Sequence, residues 1–252
     1  MIYLTGDTHG RFERIGAFCD KMQTDRDDIL IILGDAGINF HADARDNLRK
    51  EYLARLPITL FCIHGNHERR PESLDVYDER EWHGGQVFTE DRYPNILFAK
   101  DGEIYDLDGQ KAIAIGGAYS IDKAWRVEGR SWWPDEQPSE EIKSRVEQSL
   151  ENCSWSIDIV LSHTTPLKYE PTEVFIRGVD QSKVDKSTEI WLDSIEDRLT
   201  NGTVVTTTPK RKLTGCKSCS MIMRPWSRKE WRYTVHADKG NLHPSNHRNQ
   251  EA

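Results

Sequence analysis

One event occurs four times between Met1 and Pro166: a short apolar run of strand type stops on a polar cluster. "MIYL" stops at "TGDTHG" (Thr5 to Gly10), "ILIIL" at "GDAG" (Gly34 to Gly37), "ITLFCI" at "HGNHE" (His64 to Glu68) and "IDIVL" at "SHTTP" (Ser162 to Pro166). Helical patterns around Phe12 to Met22 and Asp43 to Leu56 separate the early runs, so the chain opens β-α-β-α-β. Near-continuous apolar strands alternating with helices require a sheet covered on both faces, with ligands expected at the carboxyl ends of the strands. The later runs "NILFA", "EIYDL" and "KAIAIGGA" are closely spaced and hairpin-like, which adds antiparallel strands and argues against a plain dinucleotide-binding sheet.

Gly-Asp after a strand is an ordinary turn, and one such turn is more often structural than catalytic. Four of them loaded with Asp, His and Asn point instead to a metal site. Asp7 and His9, two apart at a strand end, can reach one divalent cation with an oxygen and a nitrogen. Asp35 can bridge that ion to a second, and Asn66 and His163 can complete the second from other strands. Two cations about 3.5–4 Å apart polarise a phosphoryl group and lower the pKa of a shared water, so that hydroxide attacks at neutral pH. His67, beside Asn66, then stands where a general acid meets the leaving oxygen. A mixed O/N set without thiolate favours two ions of Mn²⁺, Fe or Zn²⁺ over Ca²⁺, with Mn²⁺ the leading expectation.

GDTHG, GDAG, GNHE and SHTTP, in this order and spacing, resemble the calcineurin-like metallophosphoesterases, the superfamily that includes the Ser/Thr protein phosphatases. The resemblance covers about residues 1–200 and implies an α/β fold: a four-layer αββα sandwich of two mixed sheets flanked by helices. It also implies Asp7 and His9 on the first metal, Asp35 bridging, Asn66 and His163 on the second, and His67 as proton donor. The implied substrate is a phosphate ester, with phosphomonoester, cyclic nucleotide, dinucleotide and phosphoprotein all open.

Two departures qualify the resemblance. The Asp-Arg-Gly segment that usually follows the second motif of the Ser/Thr phosphatases is replaced by "GDAGINF", so GNHE alone does not license a protein substrate. The stretch from Gly116 to Glu141 resembles a segment of small bacterial members and contains Arg126, Trp132 and Trp133. A guanidinium matches two phosphate oxygens, so Arg126 is a candidate substrate clamp, with an ordinary surface arginine as the competing reading. The tryptophans read as packing under a loop before they read as a stacking platform.

The second departure is larger. The resemblance implies a Gly-His-x-His segment after the SHTTP strand, one histidine for each metal, and no such segment follows His163. His236, His243 and His247 fall in no such pattern. Residues 1–200 carry 24 Lys+Arg against 39 Asp+Glu, whereas residues 201–252 carry 10 against 3, so the −8 of the whole chain joins two differently written segments. Asn201 to Pro209 can be encoded AAT GGT ACT GTG GTC ACT ACC ACA CCG. Read from the third base, that string gives Trp-Tyr-Cys-Gly-His-Tyr-His-Thr, the missing motif in place. Permitted codons through Trp226 continue as a plausible final strand with an acidic end. The expectation is therefore a metallophosphoesterase domain over 1–200, its C-terminal strand lost, and a basic, out-of-frame, poorly ordered tail over 201–252.

CKSC (Cys216 to Cys219) with His243 and His247 imitates a zinc arrangement, but 23 residues separate the halves where a short finger has about 12. The tail lacks the aromatic interleaving of a nucleic-acid binder, so no specific nucleic-acid partner is expected. No run approaches the roughly 20 apolar residues that span a bilayer, and "MIYLTGD" is not a signal peptide. Five sparse cysteines suit a reducing cytoplasm. Oligomeric state is not legible. A catalytically inactive metal-binding or scaffold protein of the same fold is the alternative to the enzyme.

Overall fold

The computed structural model describes residues 1–41, 43–172 and 179–206. Cys216 and Cys219, the tail histidines and most of the basic tail lie outside the described residues.

Two mixed sheets face each other. The first has the order β1-β2-β3-β6-β5-β4 and comprises β1 (Ile2–Thr5), β2 (Ile29–Leu33), β3 (Thr59–Ile63), β4 (Asp78–Trp82), β5 (Gly85–Thr89) and β6 (Ile96–Ala99). The second has the order β10-β9-β8-β7 and comprises β7 (Ile104–Leu107), β8 (Gln110–Ile115), β9 (Ser156–Ser162) and β10 (Asn201–Thr206). β1, β2, β3 and β6 run parallel, as do β8, β9 and β10; β4, β5 and β7 supply the antiparallel edges. The run "NILFA" is thus not a hairpin partner of "EIYDL": it lies inside the first sheet between β3 and β5, while "EIYDL" is the edge of the second.

Side-chain alternation sorts the core into layers. From β2, Ile29, Ile31 and Leu33 enter the space between the sheets, where they meet Tyr105, Ala112, Leu161 and Val205 of the second sheet. Leu30 and Ile32 point the other way, onto α1 (Glu13–Met22) and α2 (Ala44–Leu53) through Ile15, Cys19 and Leu53. The outer face of the second sheet is covered by α3 (Glu140–Asn152) and α4 (Ser187–Arg198), whose Val146, Leu150, Leu192 and Ile195 pack on Ile113, Val160 and Val204. The architecture is αββα. Cys62, fully buried in β3, is a core thiol whose pKa burial pushes up.

Helix starts follow local chemistry. Asp43 caps α2 by accepting from Arg45 N, and Ser139 caps α3 by accepting from Ile142 N, each relieving an orphan donor of the first turn.

Residues 201–206, assigned from the sequence to the tail, form β10, with Val204, Val205 and Thr206 buried. The strand expected to be lost corresponds to the text of residues 209–226, which lie outside the described residues. Thr203 to Thr206 are β-branched throughout and pair in register with Ile159 to Ser162, which is sufficient for a parallel edge strand.

Candidate metal centre

All six motif residues meet at the carboxyl ends of β1, β2, β3 and β9. The turns bind one another through the backbone: His9 N donates to Asp35 O at 2.8 Å and Gly10 N to Ala36 O at 3.0 Å, while Thr8 Oγ1 donates to Ala36 O at 2.7 Å. Buried Glu68 joins the second and third turns, accepting from Gly37 N and Gly65 N at 3.1 Å each. Two glycines are obligatory for close approach. A Cβ on Gly34, at φ +95, would lie 2.2 Å from His163 Nδ1, and one on Gly65 would lie 2.1 Å from Asp35 Oδ1. His9 and Asp35 themselves adopt left-handed backbone, φ 46 and 50, a conformation that costs about 1 kcal/mol or more in a non-glycine residue and clusters at functional sites.

Asp35 is 3% exposed and lies between two donor sets. Its Oδ1 is 3.6 Å from His163 Nε2, and its Oδ2 is 3.9 Å from His9 Nε2 and 4.0 Å from His67 Nδ1. His67 N donates to Oδ1 at 2.9 Å, fixing the carboxylate plane. Asp7 Oδ2 is 3.7 Å from His9 Nε2. Asp7, Asp35 and His163 form one group with ligand atoms within 4.8 Å of each other, and His9, Asp35 and His67 form another.

His163 shows what the cleft accepts. Its Nδ1 lies 2.8 Å from Leu33 O, and since a carbonyl only accepts, that nitrogen carries the proton. Its Nε2 lies 2.9 Å from Asn66 Oδ1: as an imidazolium it donates to that oxygen, and as a neutral ring it sets a lone pair against it. Asn66 is oriented this way by Nδ2, which donates to Ser120 Oγ at 2.9 Å. A proton on Nε2 or a cation beside the two atoms satisfies this contact, and the donor chemistry, imidazole plus amide and carboxylate oxygens, fits a divalent ion. The ionisation of the groups agrees. Burial opposes charge on His163, but Asp35, Asp7 and the Leu33 carbonyl outweigh it and raise its pKa. Burial likewise opposes charge on Asp7, yet the neighbouring His9 and the imidazole of His163 bring its pKa down. The same closeness to Asp7 raises the pKa of His9. Glu68 is pushed up to about 7 by burial and by Asp35.

Arg126 is not an ordinary surface arginine: its side chain is only 12% exposed. Asp122 grips it twice, Nε to Oδ1 and Nη2 to Oδ2 at 2.7 Å each, and Nη1 donates to Ser131 O at 2.9 Å. The remaining edge of Nη2 meets His67 Nε2 at 2.5 Å. Burial, then Arg126 against the pull of Asp35, holds the His67 pKa below its usual value. Trp133 is 7% exposed and packs edge-on against Phe40, so it is packing and not a platform. Lys123 lies over the ring of Trp132 at 5.2 Å. His64 is buried with neither ring nitrogen bonded among the described residues.

Ser120, Asp122 and Glu68 were not singled out in the sequence. Asp122 carries a signal, four residues before Arg126 as an i, i+4 pair. Glu68 stands inside GNHE, where its neighbours hold the interest. Ser120 has no signal, because its partner Asn66 is 54 residues away.

No match was found among curated proteins. A solved crystal structure is similar at 14% identity and TM-score 0.47, over 87% of this chain and 88% of its own. The sequence profile of the calcineurin-like phosphoesterases matches residues 1–193. That span includes every strand end described above except β10, and the chain belongs to the calcineurin-like phosphoesterase family.

Proposed function

We propose that this chain is built for dinuclear, metal-dependent hydrolysis of phosphate esters, with Asp7, His9 and Asp35 toward one ion and Asp35, Asn66 and His163 toward the other. The observation that carries it is Asp35, whose two oxygens face separate donor sets from one buried position. When bound, two divalent ions polarise the phosphoryl group and lower the pKa of the water they share. Mn²⁺ is the leading ion, and Fe and Zn²⁺ suit the same donors.

The residues of the chain divide the remaining work. His67 holds the proton that the departing alkoxide takes, its backbone N–H anchored on Asp35 so that the ring stays at the site rim. Arg126, held in plane by Asp122, turns the N–H edge that now meets His67 Nε2 toward a non-bridging phosphoryl oxygen, and in doing so releases His67 Nε2 to carry its proton. The cysteines that the structure describes, Cys19, Cys62 and Cys153, are free thiols, in keeping with a reducing cytoplasm. No described helix is long and apolar enough to cross a membrane.

We further propose that a base gained or lost near codons 199–202 removed the Gly-His-Tyr-His segment and impairs the chain as it stands. The register of β10 supports this. Thr206 pairs with Ser162 and gives its hydroxyl to His163 O at 2.7 Å, so ligands at the end of β10 would enter beside His163. A chain with the frame restored is expected to hydrolyse an aryl phosphate mono- or diester in Mn²⁺ and to lose that activity in excess chelator. The chain as it stands is expected to turn over at least about 10²-fold more slowly, having lost one imidazole from each ion. Activity that persists in chelator overturns the metal mechanism; equal turnover by the two chains overturns the frame account.

A further inference from the structure

An asparagine ligand has an ambiguity that aspartate lacks. Its carboxamide presents an oxygen at one end and an NH₂ group at the other, and only the oxygen binds a cation. Rotation by half a turn would aim the NH₂ of Asn66 at the ion. Something buried has to choose the orientation.

We propose that Ser120 is the positioning residue that makes this choice and so sets the affinity of the second metal position. The proposal rests on the dinuclear reading above. Ser120 is 1% exposed, and its Oγ accepts from Asn66 Nδ2 at 2.9 Å, which leaves Asn66 Oδ1 facing His163 Nε2. The serine is itself fixed by its backbone N–H, which donates at 3.1 Å to Oε1 of Glu136, 3% exposed.

The loop that carries Ser120 is tied down on both sides. Gly116 N donates to Asp101 Oδ1 at 2.7 Å, Gly117 N to His64 O at 2.8 Å and Ala118 N to Glu136 O at 3.2 Å. Arg70, two residues after Glu68, holds Asp101 Oδ2 at 2.6 Å and the carbonyl of Asp135 at 2.7 Å. The turn after β3 therefore grips both ends of the loop that returns Ser120 to its own Asn66. A hydroxyl delivered this way has one place to sit, which is what a device for orienting an amide requires. Partners one shell out from a metal ligand typically change affinity about 10–100-fold.

Two measurements on the 252-residue chain test this. In the metal-free protein, the Asn66 side-chain amide protons, assigned by NMR, are expected to exchange with solvent roughly tenfold faster in Ser120→Ala. Equal exchange overturns the proposal whatever the metal does. Mn²⁺ titration followed by loss of the free-ion EPR signal is expected to show about a tenfold or greater weakening in Ser120→Ala. In an Asn66→Asp background, where both ends are oxygen, the same substitution is expected to matter less than about threefold. No weakening with Asn66, or an equal loss in both backgrounds, overturns the positioning role. If the unmutated chain takes up no Mn²⁺, the titration is run on the frame-restored chain, where absence of uptake overturns the metal reading, and the amide protons still decide whether Ser120 holds Asn66.

Discussion

The carboxyl ends of β1, β2 and β3 and the carboxyl end of β10 occupy equivalent places in the two sheets, yet they are written in different ways. The first three end in Asp7, Asp35 and Asn66, with His9 and Asp35 held in left-handed backbone and two glycines making room for Asp35 and His163. β10 ends in Thr206, a buried threonine whose hydroxyl closes on the His163 carbonyl. One region gives up backbone comfort for chemistry; the other has the strand and none of the ligands. Fold and site therefore make separable demands. A parallel edge strand asks only for β-branched residues with two buriable faces, whereas a ligand asks for one side chain at one position.

The largest expected effect tests the fold half of that comparison. Val204 enters the layer under α3 and α4, and Val205 enters the space between the sheets, 2% and 4% exposed. Each Val→Ala change removes two buried methyl groups and is expected to cost about 2 kcal/mol. The double variant is expected to lose about 4 kcal/mol, because the two sites lie on opposite faces and share no cavity. Urea unfolding of the metal-free protein measures it. A double variant as stable as the parent would mean that β10 is not docked as described, and the contrast between the regions would collapse.

The next effect tests the chemical half. His67→Ala in a frame-restored chain is expected to slow hydrolysis of an alkyl phosphate about 10²–10³-fold and of a nitrophenyl phosphate less than about tenfold, because a good leaving group needs little protonation. Metal content should stay at the parent level, since His67 is assigned the proton and not the ion. Equal losses on both substrates would move His67 from proton donor to structural or ligand role.

The asymmetry between the regions also explains what could be read from the sequence. β1, β2, β3 and β9 were legible because apolar runs that stop on Asp, His or Asn leave few alternatives. α1 and α2 were legible within a few residues, from their period. β4, written "DEREW", was not: four of its five residues are exposed and carry no alternating apolar face. β10 falls inside the segment set apart by its change of composition after residue 200, where only the β-branched run from Thr203 to Thr206 marks a strand. In the site, the ligand candidates could be found because each sits at a strand end. Ser120 and the Asp122–Arg126 grip depend on a loop conformation that brings residues more than 50 apart together, and no local pattern encodes that distance.

The smallest effect concerns Glu68, which joins two of the motif turns through Gly37 N and Gly65 N without facing the cleft as a ligand. Its carboxyl is 2% exposed, and burial with Asp35 nearby raises its pKa from the ordinary 4.5 to about 7. A group whose folded pKa is raised binds its proton more tightly in the native state. The stability it contributes is full below the unfolded pKa and is lost as pH climbs through the folded one. Between about pH 5 and about pH 8, in chelator, Glu68 should therefore withdraw about 2 kcal/mol from the native state. Glu68→Gln, which keeps an oxygen for one of the two glycine N–H groups and carries no charge, should remove this slope. The difference in unfolding free energy between variant and parent should then grow in favour of the variant as pH rises. Other groups titrate in the same window, His163 and His9 with raised pKa values and His64 and His67 with lowered ones, but they are common to both proteins and largely cancel in the difference. A difference that is flat across the window, or that falls as pH rises, would show that Glu68 is ionised in the metal-free fold at all these pH values, and that the first region tolerates its buried carboxylates without a proton or an ion between them.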